Sequence, residues 1–102
     1  MRTLHHPRVE ELELPEVLHA LSDPVRLEIV RLLADEQERP CSSVEAKVAK
    51  STLSHHFKVL REGGITWTRA NGPHRLVSLR TDDLEQRFPG LISSVLNAAK
   101  AA

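Results

Sequence analysis

The residues best equipped for chemistry gather in the second half of the chain. Ser51, Thr52, Ser54, His55, His56 and Lys58 place three hydroxyls, two imidazoles and an ammonium along one short stretch. One chemistry such groups support is nucleophilic attack, with a serine activated by a histidine. That requires an acid to orient the base, and residues 47–80 contain one acid, Glu62. No Gly-rich loop followed by Lys-Ser/Thr is present to cradle a phosphate. No catalytic site is therefore assigned.

The other chemistry is recognition of a polyanion. Lys47, Lys50 and Arg61 flank the cluster, and Arg69, His74 and Arg75 bracket an Asn71-Gly72 pair. The formal net charge is zero over 102 residues, but it is unevenly spread. Residues 47–80 hold seven Lys+Arg against one acid (+6), residues 1–46 hold five against ten (−5), and residues 81–102 hold two against three (−1). A basic block of this kind is an electrostatic footprint for nucleic acid. Aromatic residues make up 3% and there is no Tyr, which disfavours an aromatic platform for stacked bases.

Composition closes other routes. Cys41 is the single cysteine, so no intrachain disulfide forms and no all-cysteine zinc site can be built from one chain. No metal ligands and no cofactor are assigned: no His or Cys follows His74, and zinc needs three or four ligands. A set drawn from Cys41, His5, His6 and a second subunit is the one metal arrangement left open; a small apolar packing role or oxidation sensing are the other readings of Cys41. No apolar run approaches the roughly 20 residues of a membrane span. Met1 to Glu16 carries acids and a proline where a secretory signal needs a basic start, so a cytoplasmic location is expected.

The elements follow from periodicity. Leu14, Val17, Leu18 and Leu21 have the i, i+3, i+4, i+7 spacing of a one-faced helix. Asp23 is suited to cap, and Pro24 to begin, a second helix over 24–35, with Leu27, Val30 and Leu33 on its stripe. Glu36 to Pro40 reads as a polar connection. Ser42-x-x-Glu45 has capping-box spacing and predicts a short third helix over 43–49. Lys50 or Ser51 opens a fourth with Leu53, Phe57 and Leu60 inward, ended by Gly63-Gly64. Ile65–Arg69 and His74–Arg80 then alternate with period two around Ala70-Asn71-Gly72-Pro73, a hairpin signal. Thr81-Asp82-Asp83 is expected to cap a last helix that Pro89-Gly90 breaks or kinks.

The predicted fold is mainly α with a β-hairpin wing: a winged helix-turn-helix filling 1–102 as one domain, with 1–13 as a flexible tail. Ser51, Thr52, Ser54, His55 and Lys58 would face base edges or the helix end. Lys47, Lys50, Arg61, Arg69 and Arg75 would meet phosphates, and Asn71, Gly72 and His74 would form the wing tip. His56, beside the apolar stripe, is either a phosphate contact or a hydrogen-bonded structural histidine. His5 and His6 fall in the tail and are expected to be solvated. The competing reading is a winged helix used as a protein-interaction module.

Ala20-Leu21-Ser22-Asp23-Pro24-Val25-Arg26-Leu27-Glu28-Ile29-Val30-Arg31-Leu32-Leu33 resembles the opening signature of the arsenic-repressor-like (ArsR/SmtB) winged-helix regulators. Ser51-Thr52-Leu53-Ser54-His55-His56-Phe57-Lys58-Val59-Leu60-Arg61-Glu62-Gly63-Gly64-Ile65 resembles their recognition helix. Ser54 and His56 match the family's Ser-x-His pattern, and Gly64 and Gly72 its glycines after the helix and in the wing. The resemblance implies a homodimeric bacterial transcriptional repressor on an inverted-repeat operator, joined through first and last helices. The stripes Leu14, Val17, Leu18, Leu21 and Phe88, Leu91, Ile92, Val95, Leu96 fit that interface, which makes 81–102 a dimerisation helix. The family's Cys-x-Cys and last-helix Asp/His metal motifs are missing, so the effector is unassigned.

Overall fold

The computed structural model describes residues 4–35, 37–45 and 47–101. Helix α1 spans Leu14–Leu21 and α2 spans Pro24–Leu32. Asp23 caps α2 as expected, its carboxylate accepting from Val25 N–H at 2.8 Å and Arg26 N–H at 3.3 Å, with Pro24 at the first helical position. Helix α2 stops three residues short of Asp35, because Leu33 and Ala34 tighten into a turn closed by Ala34 N–H donating to Arg31 C=O.

The third helix expected over 43–49 is not seen among the described residues of that stretch; Ala46 lies outside them. A 3-10 turn at Cys41–Ser43 takes its place, and Val44 leaves it extended and buried. Ser43, expected as the first residue of that helix, donates from Oγ back to Pro40 C=O at 2.7 Å. A seven-residue helix repays its nucleation poorly, while the extended path buries Val44. It also pairs Arg39–Pro40, strand β1, with Val77 and Leu76. Sequence reading missed β1: two residues show no period, and a proline is tolerated in a strand only at a sheet edge.

Helix α3 spans Lys50–Glu62. Phe57 and Leu60 are buried and Leu53 is half-buried. Its end is a Schellman motif: Gly64 N–H donates to Arg61 C=O and Ile65 N–H to Leu60 C=O, with Gly64 at φ +83°. Strands β2 (Thr66–Asn71) and β3 (His74–Leu79) follow, giving an antiparallel sheet in the order β1, β3, β2. Asn71 pairs with His74, so the turn centre is Gly72-Pro73, one residue beyond the Asn-Gly pair. Pro73 fixes a negative φ, which excludes a turn with both central residues left-handed; Gly72, at φ +62°, supplies the one positive φ. Thr66, Thr68, Val77 and Leu79 point into the core.

The last helix is broken where Pro89-Gly90 predicts, into α4 (Thr81–Arg87) and α5 (Leu91–Ala101), with Gly90 at φ +82°. The expected cap is different: Arg80 holds the cap position and Asp83 accepts from its guanidinium rather than from backbone.

The segment 4–13, expected as a tail, lies along the body. Leu12 is buried, the Thr68 N–H donates to His6 Nε2, Arg80 Nη1 donates to Pro7 C=O, and Arg87 Nε donates to Leu12 C=O. His6 is therefore not a solvated side chain. Among the described residues no helix is long and apolar enough to cross a membrane.

Candidate nucleic-acid interface

The apolar stripe of α3 rotates Ser51, Thr52, Ser54, His55 and Lys58 outward, and all five are exposed, as are Lys47 and Lys50 at its start. The Schellman turn leads straight into β2, so the wing is held at the C-terminal end of α3. Its tip residues Asn71, Gly72, His74 and Arg75 are exposed. Thus twelve of the fourteen residues assigned from sequence to DNA lie at the surface: these eleven and Arg69.

Arg61 is half-buried, with Nε enclosed and without a hydrogen-bond partner among the described residues. Of its two readings, His56 fits the hydrogen-bonded structural histidine and not the phosphate contact: it is only 7% exposed and its Nδ1 lies 3.1 Å from Arg26 Nη1. An arginine N–H can only donate, so Nδ1 accepts and the ring proton sits on Nε2, which lies 3.9 Å from Asp23 Oδ1. Arg26 is itself 7% exposed and also donates from Nε to Ala20 C=O at 2.8 Å and from Nη2 to His19 C=O at 3.2 Å. It thereby satisfies last-turn carbonyls of α1 at the negative end of that helix. Burial alone would raise the Asp23 pKa, but the Arg26 and Val25 amides hold it below the usual carboxylate value.

The basic block is weaker as a field than its residue count. Arg80, 2% exposed, donates from Nε and Nη2 to Asp83 and covers the Trp67 ring at 3.9 Å. Arg69 donates from Nε and Nη2 to the Glu38 carboxylate, both at 2.7 Å. That bidentate pairing lowers the Glu38 pKa and raises that of Arg69. Lys47, Lys50, Lys58 and Arg75 are the exposed cations of the block that make no ion pair among the described residues.

A groove of about 560 Å³ runs between the Cys41–Val48 stretch and α3, lined by Cys41, Val44, Val48, Leu53 and Phe57 and edged by Lys50 and Ser54. Burial pushes the Cys41 thiol pKa up against the pull of Arg75, which disfavours the reactive thiolate. Among the described residues no three or more His, Cys, Asp or Glu side chains stand together as a metal site.

Part of the proposed interface belongs to the core instead. Val17, Leu21 and Ile92 are buried within the single chain, because α1 packs onto α2 and α3 and α5 onto α2 and α4. Leu14 and Leu18 are 42% and 45% exposed, Leu32 on α2 is 41% exposed, and Phe88, Leu91, Val95 and Leu96 are half-buried.

Residues 21–66 match a family model described as a helix-turn-helix domain. The chain is 40% identical over 83 residues to an uncharacterized HTH-type transcriptional regulator, YceK, of Bacillus subtilis (strain 168), covering 78% of this chain and 83% of that protein. It is 38% identical over 74 residues to the arsenical resistance operon repressor of Staphylococcus xylosus, covering 72% and 71% of the two. The crystal structure of the transcriptional repressor BigR from Xylella fastidiosa is similar at a TM-score of 0.65 and 30% identity, over 82% of this chain and 83% of that one.

Proposed function

This chain belongs to the arsenic-repressor-like (ArsR/SmtB) family of winged helix-turn-helix transcriptional regulators, and we propose that it acts as a homodimeric repressor on an inverted-repeat operator. In this reading α3 of each protomer enters a major groove. Ser51, Thr52, Ser54, His55 and Lys58 meet base edges, while Lys47, Lys50 and Arg75 meet phosphates. The wing tip follows the flanking backbone. Arg69 joins only by exchanging Glu38 for a phosphate. The observation that carries the proposal is the polar outer face of α3, whose one acid, Glu62, stands at its C-terminal end, with a basic wing attached directly to that end.

The protein would act in the bacterial cytoplasm and without catalysis. Ser54 and His55 share an exposed face without an acid between them, and His56 is engaged by Arg26. The test is selection of genomic fragments by the purified protein at roughly 150 mM salt, where sequence-blind attraction is largely screened. A recurring inverted repeat is expected. Salt-sensitive, sequence-blind binding alone would overturn the reading and favour a protein-interaction module. Lys58→Ala and Arg75→Ala are each expected to weaken operator binding at unchanged melting temperature. Arg75→Ala is also expected to reduce the slope of log affinity against log salt by about 1. Unchanged affinity in Arg75→Ala would remove the wing from the interface.

A further inference from the structure

The Leu53, Phe57 and Leu60 stripe fixes which side of α3 faces inward. Apolar burial is non-directional, so that stripe by itself specifies the angle of α3 less sharply than a directional contact does. A hydrogen bond restricts both angle and distance. Such a bond joins α3 to the α1–α2 corner at one buried place. Arg26 Nη1 meets His56 Nδ1 at 3.1 Å, while the same guanidinium is fixed by the Ala20 and His19 carbonyls. Asp23, on the far edge of the ring, is held in turn by the first amides of α2.

We infer that His56 is a positioning residue for DNA recognition: through Arg26 it locks the rotation of α3, so that Ser54, His55 and Lys58 present one fixed pattern to the groove. The inference rests on the DNA-binding reading above and adds a residue that does not itself touch DNA. Its consequence is specific. Loosening the lock leaves the outward cations in place, so sequence-blind phosphate attraction survives, whereas base contacts that need fixed angles are blurred.

The experiment compares dissociation constants for a selected operator and for a scrambled duplex of the same length, over a salt series, in the native protein and in His56→Leu, His56→Asn and Arg26→Lys. Asn can place its amide oxygen near the position of Nδ1 and keep an acceptor for Arg26. Lys keeps a charge at the end of α1 but cannot reach three acceptors from a planar fork. The expected result is a fall of about tenfold in the operator-to-scrambled ratio for His56→Leu and Arg26→Lys, the size of one lost buried, charge-assisted hydrogen bond. Scrambled-duplex affinity and salt slope should match the native protein, and His56→Asn should keep most of the ratio.

A native ratio in both His56→Leu and Arg26→Lys overturns the inference. So does an equal loss for His56→Asn and His56→Leu, which would show that the ring's shape matters and not its acceptor. If His56→Leu does not fold, the contrast between His56→Asn and Arg26→Lys decides in the same way. A native protein that does not discriminate operator from scrambled DNA overturns the DNA-recognition reading itself, a separate result.

Discussion

His6 accepts the Thr68 N–H through Nε2 at 3.0 Å, and its ring meets that of Trp67 at 5.2 Å, so docking of the N-terminal segment requires an unprotonated Nε2. Burial holds its pKa below the ordinary imidazole value, and the nearby charges of Arg61 and Arg80 act in the same direction. In the unfolded chain the ring takes up its proton near the ordinary value of about 6.5. The stabilisation is therefore whole above that pH and is lost as pH falls through the lower folded value. Acidification is expected to change Trp67 fluorescence before global unfolding, with His6→Ala showing no such step. A Trp67 signal that titrates identically in the variant would sink this assignment. A histidine in a polar stretch gives no local sign of such a role, because its partner is 62 positions away. Arg26 and His56 are similar. Each sits in a recognisable motif, yet their bond joins residues 30 apart and only the fold reveals it. The exposed residues of α3 were legible, since the stripe that must be buried dictates which positions remain outside.

Elements were legible where a stop signal and a period agreed. Helices α1 and α2 meet at Ser22-Asp23-Pro24, α3 ends at Gly63-Gly64, and α4 and α5 part at Pro89-Gly90. The stretch 40–49 misled because capping-box spacing and helix-forming residues are local preferences, and burial of Val44 together with pairing of β1 to β3 outweighed them. The two left-handed glycines around the recognition unit differ in a measurable way. A Cβ on Gly64 would clash with the Leu12 side chain, while one on Gly72 would meet open space. Gly72→Ala is thus expected to cost only the backbone term, about 1 kcal/mol. Gly64→Ala should cost more, because it adds displacement of a buried leucine and loosens the junction between α3 and the wing. Urea unfolding of the two variants checks the order; equal costs would mean that Leu12 yields freely.

At the scale of the whole molecule, one chain leaves apolar surface on its first two helices that its own core does not need. Leu14 and Leu18 stand open on the outer side of α1, while Val17 and Leu21 from the same helix are sealed inside. This division makes dimerisation testable without damaging the protomer. In Leu14→Glu/Leu18→Glu, α1 keeps its buried stripe and its carbonyls remain capped by Arg26, so each protomer should melt as a folded unit. If α1 faces its copy across a two-fold axis, four carboxylates would be brought into a closed apolar contact, and burial of unpaired charge is prohibitive there. Sedimentation is expected to change from dimer to monomer. Affinity for a single half-site should persist, while affinity for the full repeat falls by about 10² or more, the advantage that linking two binding units provides. Persistence of the dimer in this variant would move the interface away from α1. A monomer that still bound the full repeat with native affinity would instead show that two α3 helices do not act as one unit on the operator.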